Sequence, residues 1–151
     1  MHENFKRVLV TSDFSELGDH AIGHAFRVAA DHGAEVVLCH VIETMPTPNP
    51  LYAHYYSTEL FRPEMRHQVE QQARDALLER VPKEGALGAV PHRELVVEGD
   101  PVSQILRVAR DEKADLLVIA THGRAGVKHF LLGSVVERVI RGAQCPVLVI
   151  R

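Results

Sequence analysis

Leu116-Leu117-Val118-Ile119-Ala120-Thr121-His122-Gly123-Arg124-Ala125-Gly126-Val127-Lys128-His129-Phe130-Leu131-Leu132-Gly133-Ser134-Val135-Val136-Glu137-Arg138-Val139-Ile140 is the stretch that decides the fold. Its first four residues are a continuous apolar run, the pattern of a strand covered on both faces, and its last six have helical spacing. Residues 120–134 are therefore a strand-to-helix connection. Glycines there let backbone N–H groups approach a ligand closely, and Gly133-Ser134 opens a helix whose free N–H groups and dipole favour an anion. The connection reads as a phosphate cradle. Gly is equally the default residue of a tight turn, so the loop alone does not separate the two roles.

Working outward, the same alternation of strand and helix recurs. Towards the C-terminus, Gly142 reads as a helix stop and Pro146-Val147-Leu148-Val149-Ile150-Arg151 as a last strand. Upstream, Asp100-Pro101 reads as a helix cap and first turn, followed by the stripe Val102, Ile105, Leu106 and Ala109. Residues 93–98 are a shorter strand with polar ends, suited to a sheet edge. Pro63 opens another helix with a stripe of Met65, Val69, Ala73, Ala76 and Leu77, and residues 83–91 read as a loop.

At the N-terminus, residues 7–11 form a strand, Ser15 caps a helix from Glu16, and Leu17, Ala21, Ala25 and Val28 supply its apolar stripe. Gly33 ends that helix, and residues 35–42 are a nearly continuous apolar strand. Pro46, Pro48 and Pro50 exclude helix or central strand from the next segment. Tyr52, Tyr55, Tyr56 and Phe61 follow, four of the eight aromatics of the chain, and read as a flap tucked on the core in preference to a ligand lid.

Alternating strands and helices predict an α/β fold, a five-stranded parallel sheet with helices on both faces. Such sheets bind ligands at the carboxyl ends of their strands, where the strand order reverses. In the order 3-2-1-4-5, Asp13 after the first strand and the 120–134 connection after the fourth become neighbours. With 151 residues the whole chain, 1–151, is expected to be one domain.

Composition excludes several function classes. A formal charge of −3 provides no basic field for nucleic acid or for an anionic membrane. No N-terminal signal-like segment and no apolar run near the ~20 residues of a membrane span is visible, so the expected location is cytoplasmic. Cys39 and Cys145 form neither a C-x-x-C pair nor a ligand cluster and read as packing residues. His122 and His129 are a chance pair among ten histidines, and no protein metal site is expected. A P-loop would need Lys before Ser134, where Gly133 stands. The turn Thr11-Ser12-Asp13-Phe14-Ser15 lacks the paired histidines or Ser-Gly-Gly of a nucleotidyl transferase, and the acidic cluster and late lysine of a receiver domain are missing.

Over its whole length the chain resembles the universal stress proteins, through Asp13-Phe14-Ser15, the His40-Val41 end of the second strand, Leu132-Gly133-Ser134-Val135 and Cys145-Pro146-Val147-Leu148-Val149. In the family's ATP-binding branch the loop reads Gly, two residues, Gly, nine residues, Gly, then Ser or Thr. Gly123, Gly133 and Ser134 match, whereas Ala120 replaces the first glycine, and Thr11 stands where ATP binders often carry proline. The resemblance places Asp13 near ribose and adenine and the backbone of Val41 at the adenine edge.

The nucleotide-binding set it implies is Thr11, Asp13, Val41, Ala120, Gly123, Gly133, Ser134, Val135 and Val136, with no catalytic residue. The expected ligand is ATP, with Mg or Mn carried by the phosphates. Ser134 fits a phosphate ligand or an ordinary helix cap, and Arg124 and Lys128 are more simply solvated than ligands. The chain is expected to be a stress-response regulator that hydrolyses ATP slowly or not at all. A homodimer is expected through residues 147–151, because that strand is too apolar to remain an exposed edge. The competing reading is a dimeric interaction protein that binds no nucleotide.

Overall fold

The structure is a computed structural model that describes residues 4–44, 63–121 and 132–151. In chain order the elements are β1 (Arg7–Thr11), α1 (Glu16–His32), β2 (Glu35–Glu43), α2 (Pro63–Glu79), α3 (Gly85–Gly88), β3 (His92–Gly99), α4 (Pro101–Asp111), β4 (Leu116–Ala120), α5 (Ser134–Gly142) and β5 (Val147–Ile150). The five strands form one sheet in the order β3-β2-β1-β4-β5, and every pairing is parallel. The expected strand order and orientation are therefore those observed.

Side-chain alternation divides the core between the two faces of the sheet. Val8, Val10, Val36, Leu38, Leu116 and Val118 pack with α1 and α2, while Leu9, Val37, Cys39, Leu117 and Ile119 pack with α4 and α5. Strands buried on both faces must be apolar throughout, which explains the unbroken runs in β1, β2 and β4. At the edge, β3 exposes His92, Arg93 and Glu98, as its polar ends anticipate.

The helix ends follow from local chemistry. Ser15 Oγ accepts from the Gly18 N–H at 3.1 Å to open α1, and Gly33 closes it with φ 68°, a conformation that glycine adopts without a Cβ penalty. In α4, Pro101 takes the first turn after Asp100, whose carboxylate accepts from the Ser103 N–H at 2.9 Å.

Four details depart from the sequence reading. Residues 85–88 form the short helix α3 inside the expected loop. The centre of the α1 stripe is Ile22 and Phe26, both essentially inaccessible, with Leu17 and Val28 on its flanks. Met65 is 40% exposed, because only Ala73 and Leu77 of α2 lie fully against the core. Gly142 is the last residue of α5 and not a left-handed stop; a Cβ there would approach Leu106 Cδ1 to 2.6 Å, so the glycine serves the close contact of α5 with α4. The expected flap 51–62 and residues 122–131, with His122, Gly123, Arg124, Lys128 and His129, lie outside the described residues.

Candidate functional site at the carboxyl edge of the sheet

Parallel strands bring β1, β2 and β4 to the same edge, and the turns that follow β1 and β4 face each other there. Among the described residues, Thr11, Asp13, Val41, Ala120, Gly133, Ser134, Val135 and Val136 all line one cleft of about 1110 Å³. Eight of the nine residues expected to bind nucleotide therefore converge, and Gly123 lies outside the described residues. That volume exceeds what a nucleotide-sized ligand requires.

The β1–α1 turn is held from several directions. The Ser12 N–H donates to the Cys39 carbonyl at 2.9 Å, and the Phe14 N–H donates to Ser12 Oγ at 3.1 Å. Asp13 Oδ1 accepts from the Ser15 N–H at 3.0 Å and from the Ser15 hydroxyl. Asp13 thus organises the turn while it lines the cleft. Phe14 sits in the left-handed region with φ 65°, which costs a side-chain-bearing residue about 1–2 kcal/mol. Surrounding contacts offset that strain. The Phe14 ring stacks on His40, with centroids 4.2 Å apart, and the Arg80 guanidinium carbon lies 4.9 Å from the Phe14 centroid.

Three helix N-termini whose capping residues are described bear on this edge, and they are not equivalent. Ser15 caps α1, and Asp100 caps α4 with bonds to the Ser103 N–H and hydroxyl that hold its carboxyl below the usual range. At α5 the capping residue is Gly133, which provides no side-chain hydrogen bond. Ser134 is the first helical residue and not the cap, so the cap reading of Ser134 is replaced by one in which Gly133 caps through its backbone. The opening N–H groups of α5 thus have no intrahelical partner, and its dipole favours negative charge beside them. The turn is located by the Gly133 N–H, which donates to the Thr121 carbonyl at 2.9 Å, and by the Thr121 N–H, which donates to the Ile150 carbonyl at 2.7 Å.

The described lining of the cleft contains no lysine or arginine, and it contains no group of three or more His, Cys, Asp or Glu side chains able to hold a metal. Its polar groups include the backbone donors at α5, the Ser134 hydroxyl and the Asp13 and Glu43 carboxylates, between apolar walls from Val41, Val135 and Val136. Sequence reasoning did not assign Phe14, Gly18 or His40 to this lining. Their signal was present in the turn motif and in the His40-Val41 strand end, but side-chain contact across β1 and β2 is visible only in the fold. Gly18 is there because a Cβ would lie 3.0 Å from Asp13 Oδ1 and 3.3 Å from Ser12 Oγ.

This fold and edge define a class, and comparison with known proteins gives the family. The universal stress protein family matches residues 4–151. The universal stress protein MJ0531 of Methanocaldococcus jannaschii is 34% identical over 147 residues, covering 97% of this chain and 82% of the relative. The solved structure of MJ0577, from the same organism, has a TM-score of 0.79 at 30% identity and covers 98% of this chain and 96% of that one. A universal stress protein solved in complex with cAMP has a TM-score of 0.63 at 27% identity, covering 99% and 98%. The chain belongs to the universal stress protein family.

Proposed function

We propose that this universal stress protein binds an adenine nucleotide, ATP, in the cleft at the carboxyl edge of the sheet. The observation that carries the reading is the α5 N-terminus: of the three helix starts at this edge whose capping residues are described, it alone has no side-chain cap, and it opens on Gly133-Ser134. Phosphate oxygens suit the donors there, Asp13 suits a ribose hydroxyl, and the Val41 backbone suits the adenine edge. The relative solved with cAMP supports an adenine nucleotide as the ligand class. Mg or Mn fits as an ion carried on the phosphates, since such ions keep several waters and need few protein ligands.

The nucleotide acts as a bound signal and not as fuel. Fast hydrolysis needs a fixed water and charge stabilisation at the γ-phosphate, and the described lining offers no cation for it. We also propose a homodimer through β5, which pairs with β4 on one side and with no other strand among the described residues. Val147, Leu148 and Val149 remain partly exposed along it. Displacement of a fluorescent ATP analogue tests the central reading: ATP should displace it from the wild type, and Gly123→Val should abolish binding. An analogue that binds both proteins equally would refute this site.

A further inference from the structure

We propose that His40 is a positioning residue of the cleft, holding the Ser12–Ser15 turn so that Asp13 is presented to the ligand. The His40 Nδ1 lies 2.7 Å from the Ser12 carbonyl oxygen. A carbonyl only accepts, so Nδ1 carries the hydrogen and the ring is locked in that tautomer or is doubly protonated. The same ring lies against Phe14 at an interplanar angle of 27°. One side chain of β2 therefore grips the turn twice, once by the carbonyl before Asp13 and once by the aromatic ring after it.

Phe14 cannot hold its own position cheaply, because its φ of 65° is a conformation that side-chain-bearing residues avoid. The ring also meets Arg80, whose guanidinium carbon lies 4.9 Å from its centroid, whose Nη2 donates to the Phe14 carbonyl at 3.4 Å and whose Nε donates to Asp19 at 2.7 Å. The turn is thus bracketed by His40 from the sheet and by Arg80, the residue that follows α2. His40 also precedes Val41, so a single strand end carries both a wall of the cleft and the brace of Asp13. The effect on nucleotide affinity rests on the reading proposed above, while the hold on the turn does not.

Two variants separate the donor from the ring. His40→Phe keeps an aromatic face for Phe14 and loses the Nδ1–H; His40→Asn loses the ring but places an amide N–H where Nδ1 stood. Hydrogen exchange of the Phe14 and Ser15 amides, measured on the nucleotide-free full chain, reads the turn directly. Exchange at least about tenfold faster in His40→Phe, and a smaller acceleration in His40→Asn, which keeps the donor and loses the ring, is the expected result. Nitrogen NMR of the wild type should also show a protonated Nδ1. Unchanged exchange in His40→Phe would overturn the proposal, and so would a bare Nδ1 in the wild type, which decides the matter even if either variant fails to fold. ATP affinity measured on the same proteins should fall about tenfold in His40→Phe and recover in part in His40→Asn. A wild type that binds no ATP would sink the nucleotide reading, and the amide data would still decide the role of His40.

Discussion

Gly133 donates its backbone N–H to the carbonyl oxygen of Thr121 across 2.9 Å, joining the start of α5 to the end of β4. This bond fixes where the helix start without a side-chain cap faces the sheet edge. Gly133 has φ −58°, within the range that proline adopts, so Gly133→Pro removes the donor without forcing the local φ. The variant should lose about 1 kcal/mol of stability, the usual net worth of one such bond. Its ATP dissociation constant should rise about tenfold, equivalent to about 1.4 kcal/mol, in a calorimetric comparison with the wild type.

Gly18 tests the other wall of the cleft. Gly18→Ala gains up to about 1 kcal/mol of helix propensity, yet its Cβ would press on Asp13 Oδ1 at 3.0 Å. The expected outcome is a melting temperature close to the wild type with weakened nucleotide binding. Wild-type affinity in Gly18→Ala would show that Asp13 is not held where the ligand needs it.

Stability rests on the face covered by α1. Phe26 is fully inaccessible among Val8, Val10 and their neighbours, so Phe26→Ala should cost about 3–5 kcal/mol in urea-induced unfolding. Leu78→Ala, at a site 41% exposed, should cost far less.

Burial pushes the Cys39 thiol up to about 12, with Arg107 only partly opposing it, and the more accessible Cys145 is raised by burial and by Asp115. A thiol reagent near pH 8 should therefore modify Cys145 first and leave Cys39 intact in the native protein. The same shift couples to stability. Above pH 9 the unfolded chain loses the Cys39 proton while the native state keeps it, so the native state binds more protons and stability falls as pH rises. Below pH 9 the contribution is fully present; between pH 9 and about 12 it declines by about 1.4 kcal/mol per pH unit. Unfolding measured against pH for the wild type and Cys39→Ala should show this extra decline in the wild type alone.

Much of this architecture was legible in the sequence because central parallel strands have to be apolar on both faces. The runs at Val8–Val10, Val36–Cys39 and Leu116–Ile119 need no tertiary information, and neither do Ser15, Gly33 and Asp100-Pro101 as helix punctuation. The strand order already brought Asp13 beside Gly133-Ser134, and the family resemblance added which residues of those turns would face a nucleotide. Less legible was what depends on relative depth. The exposure of Met65 and the prominence of Phe26 are set by how closely α2 and α1 approach the sheet, which periodicity does not encode. Nor does a motif announce that Gly142 serves a contact with Leu106, or that His40 reaches from β2 to the Ser12 carbonyl after β1.

The most direct test is calorimetric titration of ATP, with and without Mg, into the full chain freed of co-purified nucleotide. Saturable heat at one nucleotide per chain, accompanied by a rise in melting temperature, is the predicted result. No heat and no protection from unfolding at about 1 mM ATP, where even a weak site of millimolar affinity would be half filled, would contradict it.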